Sequence, residues 1–197
     1  MSILSIALTG PEAEARSVAP PMETDEALYE LVHGVRIAIP AMSYYANKVT
    51  GRLSTNLAGH VERNGLGTVV TETLFLVPLA DDRERLRRPD VAFVSRERWP
   101  VDRPDDPDAN GWAVVPDLAV EVVSPTDRAD DLMSRTLEFF QAGVRQVWLV
   151  YPRQAVIHVY DGPKSVRVFD SDEVLEGGVI LPGLSLNVSS IFPPVIA

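Results

Sequence analysis

The sequence predicts a single α/β domain built on one mixed β-sheet covered by helices. Three observations lead there. Residues 118–123 and 146–150 are almost wholly apolar, as strands buried on both faces are. A stretch with helical apolar spacing separates them. A chain of 197 residues has room for one full core without needing a metal or disulfide to fold.

Local signals justify each element in turn. Residues 1–22 carry Gly10, Pro11, Pro20 and Pro21 and read as a partly ordered arm ahead of a domain spanning 23–197. Around Glu26-Ala27-Leu28-Tyr29-Glu30-Leu31 the apolar spacing is helical, with Gly34 as the stop. Val35-Arg36-Ile37-Ala38-Ile39 alternates in polarity and halts at Pro40, which reads as a strand. From about Ser43 to Glu62, Val49, Leu53, Leu57 and Val61 recur every fourth residue on one helix face, and Asn64-Gly65 ends it. Residues 68–78 are rich in β-branched side chains and read as one strand with a bend. Residues 81–85 make a charged turn, and residues 88–94 a strand that opens at Pro89. Residues 99–110, dense in proline and aspartate, form an exposed loop.

Asp127, with Asp130 three residues on, is expected to cap a helix whose buried stripe is Leu132, Met133, Leu137 and Phe140. Gly143 closes that helix. Residues 156–160 and 165–169 flank Asp161-Gly162-Pro163 as a hairpin. Past Gly178, short apolar pieces around Leu181-Pro182-Gly183-Leu184 are expected to pack back on the core.

Composition narrows the chemistry. The absence of cysteine excludes disulfides, thiolate metal sites and cysteine nucleophiles. With 28 acidic and 18 basic residues the net charge is -10, so any polyanion must be held locally against an unfavourable overall field. No apolar run approaches a membrane span and no targeting signal appears, so a cytoplasmic protein without membrane contact is expected. No Gly-x-Ser-x-Gly elbow or glycine-rich nucleotide loop is present. His33 reads as a turn residue, and His60 and His158 as partly exposed, without paired metal spacing.

Two carboxylates stand out because acids almost never sit in apolar strands unless paired, protonated or bound to metal. Asp90 opens one strand and Glu121 lies inside another. If those strands pair, both can reach one point, and hard oxygen ligands of this kind suit Mg2+ or Mn2+. The backbone carbonyl of Val122 would add a third ligand. In the alternative, Asp90 caps a turn after Pro89 and Glu121 pairs with an arginine.

Arg88-Pro89-Asp90-Val91, Pro116-Asp117-Leu118-Ala119-Val120-Glu121-Val122-Val123-Ser124-Pro125 and Ala142-Gly143-Val144-Arg145-Gln146-Val147-Trp148-Leu149-Val150 together resemble the Uma2 family, placed among the PD-(D/E)XK restriction-endonuclease-like folds. The resemblance runs from Tyr29-Glu30-Leu31-Val32-His33-Gly34 to Phe192. It implies a restriction-endonuclease-like α/β core, a mixed sheet flanked by helices with an additional C-terminal hairpin, and a divalent-metal phosphodiesterase site. Asp90 and Glu121 would be the metal ligands, and Glu30, on the first helix, would assist metal or water positioning.

The chain departs from the family at three places. In Asp131-Leu132-Met133-Ser134-Arg135-Thr136-Leu137-Glu138-Phe139, Arg135 stands where relatives carry lysine and Phe139 where they carry tyrosine. Tyr44-Tyr45-Ala46-Asn47 lacks the histidine often found there, and Val150-Tyr151-Pro152 replaces Val-Asp-Pro. Arg135 can stabilise phosphate charge but not shuttle a proton. Alternatively it bridges Asp131 and Glu138 on a solvated helix face.

Lesser signals remain open. Ser124 binds phosphate through its hydroxyl or serves as a cap-region serine. Arg83, Arg85, Arg87, Arg88, Arg96, Arg98 and Arg103 form a DNA-backbone patch, with Arg88 as a substrate contact, or a salt-bridged surface. The functional expectation is a Mg2+-dependent endonuclease acting on DNA, with a homodimer favoured for cutting both strands. The alternative is a weakened or inactive nuclease-fold protein that binds nucleic acid or a protein partner.

Overall fold

A computed structural model describes residues 28–194, so the arm expected over 1–22 lies outside the described residues. In chain order the elements are β1 (Tyr29–Val32), β2 (Val35–Ala38), α1 (Tyr44–Asn64), β3 (Gly67–Thr71), β4 (Phe75–Leu76), β5 (Leu86–Arg87), β6 (Val91–Ser95) and β7 (Leu118–Val122). There follow α2 (Ala129–Ala142), β8 (Gln146–Tyr151), β9 (Val156–Gly162), β10 (Ser165–Phe169), β11 (Val174–Glu176), β12 (Ser185–Asn187) and a 3₁₀ turn at Val188–Ile191.

Six strands form the main sheet in the order β10-β9-β8-β7-β6-β3. Its one parallel pair, β7 with β8, is joined by α2, because parallel neighbours need a long crossover. The β9–β10 hairpin extends one side, as expected, with its turn at Pro163–Lys164. The α/β expectation stands, but the single sheet does not: β2-β1-β5-β4 make a second sheet and β11-β12 a third.

The first two sheets are continuous through one bent ladder. β3 pairs with β6 and β4 with β5 in the same register, which sets Glu72 opposite Asp90 across the gap. The backbone N–H of Glu72 donates to the Asp90 carbonyl there. Residues 68–78 are therefore one bent strand whose halves serve different sheets.

Alternation along the strands sorts the core into two layers. Val91, Phe93, Leu118, Val120, Val122, Trp148 and Val150 pack beneath α1, on Val49, Leu53, Leu57 and Val61. The C-terminal pieces close that layer through Leu181, Leu184 and Ile191, as the sequence suggested. Ala92, Val94, Ala119, Val147 and Leu149 face the other way, toward Phe139 of α2. Each fully buried large side chain contributes about 1.5–3 kcal/mol.

Four local expectations are corrected. Tyr29–Val32 is a strand, not a helix: it pairs with β2 across the His33-Gly34 turn, and both turn residues have positive φ. Asp127 does not cap α2; its Oδ2 accepts from the Ser124 N–H, and the N-cap residue is Arg128. Met133 and Leu137 are exposed, and the buried residues of α2 are Thr136 and Phe139. His60 is buried, with Nε2 on the Pro182 carbonyl oxygen.

Candidate metal-binding active site

The antiparallel register Val91↔Val120 continues one step to set Asp90 directly opposite Glu121. Both side chains lie on the α2 face, because their neighbours Val91, Val120 and Val122 all point to the α1 layer. Like charges directly opposed on a ladder destabilise it. The two carboxylates singled out in the sequence thus lie opposite each other, and the ladder supplies the geometry.

They open into a cleft of about 310 Å3 lined also by Glu72, Arg88, Val122, Ser124, Asp127, Arg128 and Arg135, with Met42, Ser43 and Ala46 across from them. Asp90 Oδ2 accepts the Val122 N–H at 2.5 Å. Within one strand residue N–H and C=O point to the same neighbour, so the Val122 carbonyl faces the Asp90 side too. The residue opposite it is Pro89, which has no N–H to offer. Glu121 Oε2 accepts from Arg135 Nη1 at 3.2 Å, whereas Glu121 Oε1 is buried with no partner.

Burial sets the electrostatics. It pushes the Glu121 carboxyl up to about 8; Arg135 pulls it down, and the negative charges of Asp90 and Glu30 add to the rise. Burial likewise raises Asp90 to about 7 against the Val122 hydrogen bond, with Glu72 adding to the rise and Arg135 opposing it. The guanidinium of Arg135 is also raised above its ordinary value, chiefly by the negative charge of Glu121.

Arg135 is not on a solvated helix face. Its Nη1 bridges Glu121 and, at 3.3 Å, Glu30 Oε1. Glu30 is almost fully buried on β1, outside the cleft wall and behind Arg135. It also accepts from the Arg88 N–H at 3.0 Å and from Arg87 Nη1 at 2.6 Å. Glu138, the other partner proposed for Arg135, is taken by Arg87 and by Arg85 Nη1 at 2.6 Å. Arg85 in turn meets Asp82. A row of alternating charges therefore runs from Asp82 to Glu121 and holds Arg135 in place. Arg85, Arg87 and Arg88, expected in a DNA patch or a salt-bridged surface, are buried in polar contacts.

Arg88 lies in the cleft wall, but its guanidinium is engaged by the carbonyl oxygens of Tyr29 and Glu72. Ser124 lines the cleft, with its hydroxyl 3.0 Å from Thr126 Oγ1. Glu72, which sequence reasoning missed, sits at the ladder bend with φ 49° and faces the same cleft. Burial raises its carboxyl, with Arg88 opposing. Nothing in the local sequence marks it, since its position follows from the bend.

The donor set suits a hard cation. Two desolvated carboxylates meet a carbonyl, and one carboxylate oxygen is buried without a partner, an expensive arrangement unless something charged fills it. Among the described residues no three His, Asp or Glu side chains form a metal cluster, so Asp90 and Glu121 are the paired acids on offer. Water and substrate oxygens would complete the set.

The sequence profile of the Uma2 family, described as "Putative restriction endonuclease", matches residues 16–189. No curated protein matches the chain. Among solved structures the chain is similar to a "putative nuclease belonging to DUF820" from Anabaena variabilis. The TM-score is 0.70 at 19% identity, over 83% of this chain and 89% of that one, a likeness of fold.

Proposed function

Because this chain belongs to the Uma2 family, described as "Putative restriction endonuclease", we propose that it hydrolyses DNA phosphodiester bonds with a divalent cation, Mg2+ or Mn2+, at the corner of Asp90 and Glu121. One observation carries the reading: the two acids oppose each other across the ladder, and Glu121 Oε1 is buried without a partner. Asp90, Glu121 and the Val122 carbonyl would hold the ion. When bound, it would supply Lewis acidity and a water of lowered pKa.

The chain's own groups do the remaining work. Arg135 reaches the cleft as a positive charge held by Glu30, which supports a role for it in binding a phosphate oxygen. Its guanidinium gives up no proton at neutral pH, so it cannot serve as a general base. The Ser124 hydroxyl in the cleft wall can donate to the same phosphate. Cutting both strands of a duplex would call for two copies related by a two-fold axis.

The test is nicking of supercoiled plasmid at low salt, since an acidic protein binds DNA weakly. Nicking that needs Mg2+ or Mn2+ and disappears in Glu121→Gln and Asp90→Asn is the expected result. Absence of nicking, or nicking that survives both substitutions, overturns it.

One contact favours a second reading, a nuclease-fold protein that binds nucleic acid or a protein partner without cutting. The Arg135 guanidinium already neutralises Glu121 and Glu30, where relatives use a smaller lysine. On that reading both the native chain and Arg135→Lys stay silent in the plasmid assay, whereas a repaired nuclease would gain activity in Arg135→Lys.

A further inference from the structure

A second cavity, about 380 Å3, abuts the cleft and shares Glu72 and Arg88 with it. Its size falls in the range of small-molecule sites. One wall is β3 with the ladder bend, and the other is the stretch from Asp105 to Ala113.

Trp112 is fixed in this cavity. Its backbone N–H donates to the Leu74 carbonyl and its carbonyl accepts from Leu76. The ring stacks on Phe75 at 5.8 Å and meets Trp99 edge-on at 5.3 Å. The indole N–H is buried and unpartnered. Three carboxylates, Glu72, Asp105 and Asp106, line the cavity against one guanidinium, Arg88, whose Nε and Nη1 are engaged by the backbone carbonyls of Tyr29 and Glu72. Such a wall repels phosphate and accepts N–H donors.

We infer that this cavity takes an unpaired nucleobase bearing an exocyclic amino group, next to a phosphate held in the cleft. The inference rests on the nuclease reading above. A base out of its stack pairs with an aromatic face, and carboxylates accept from amino groups that thymine lacks. Because Glu72 and Arg88 belong to both spaces, phosphate and base of neighbouring positions along one strand can occupy the two at once. Single-stranded or frayed DNA with guanine, adenine or cytosine beside the cut is then the preferred substrate.

The test is quenching of indole fluorescence by dGMP, dAMP, dCMP and dTMP in EDTA, so that it does not depend on cleavage. The amino-bearing nucleotides should quench saturably, and dTMP about ten-fold more weakly. Ala109→Phe, which fills the cavity from its loop side, should abolish quenching while the thermal unfolding midpoint stays unchanged. Asp105→Asn, at an exposed position, should narrow the preference over dTMP several-fold. No quenching, equal quenching by dTMP, or quenching that survives Ala109→Phe overturns the base site. Plasmid nicking by the native chain decides the nuclease reading separately, since a base site that quenches without nicking would leave only that reading wrong.

Discussion

Replacing Glu121 by glutamine keeps the shape of the side chain and removes its charge, and the consequence for stability changes with pH. The Glu121 carboxyl is raised from 4.5 to about 8, first by burial. A group whose folded pKa is raised contributes stability that is intact below its unfolded pKa and lost as pH climbs through the folded value. At about 1.4 kcal/mol per unit, the loss is under about 1 kcal/mol at pH 5 and about 4 kcal/mol at pH 8. Glutamine does not titrate and escapes that loss. Relative to the native chain, Glu121→Gln should therefore gain about 3 kcal/mol between pH 5 and pH 8. The assay is urea unfolding in EDTA at both values, and a thermal scan should show a relative shift of roughly 6–12 °C. Mg2+ should restore the native chain at pH 8 and leave the variant unmoved. A stability difference that is the same at both pH values refutes the claim that Glu121 is held in a site too dry for its charge.

The other predictions concern the groups around it. Arg135→Ala leaves Glu121 without its hydrogen-bond partner and should cost about 3 kcal/mol in urea unfolding, with Arg135→Lys recovering most of it. Glu138→Gln weakens the ion pairs to both Arg85 and Arg87 and should cost about 2–3 kcal/mol by the same measurement. Glu72→Gly relieves a positive φ and should raise stability by about 1 kcal/mol in a thermal scan. Mg2+ affinity, followed by calorimetry, should strengthen from pH 6 to pH 8, because Asp90 and Glu121 must give up protons to bind the ion.

Where pattern alone sets structure, the sequence was legible. Four-residue spacing marked α1, and the apolar run of β7 made Glu121 conspicuous. β1 was misread because Glu30 is buried in an ion-pair network, so polarity does not alternate along the strand. The His33-Gly34 pair between two short apolar runs was the signal for a two-residue hairpin turn. The stripe assigned to α2 failed for a related reason. Arg135 and Phe139 lie four apart on the inward face, which rotates Met133 and Leu137 outward. Glu72 and the second cavity were invisible because they arise where one ladder bends from one sheet into another, a tertiary event without a local motif.

The most direct measurement is the anomalous difference density of Mn2+ in crystals of the native chain and of Glu121→Gln. A single site bounded by Asp90, Glu121 and the Val122 carbonyl, absent from the variant, is the predicted result. Native crystals in which Glu121 stays on Arg135 and no manganese lies between the two acids would contradict it.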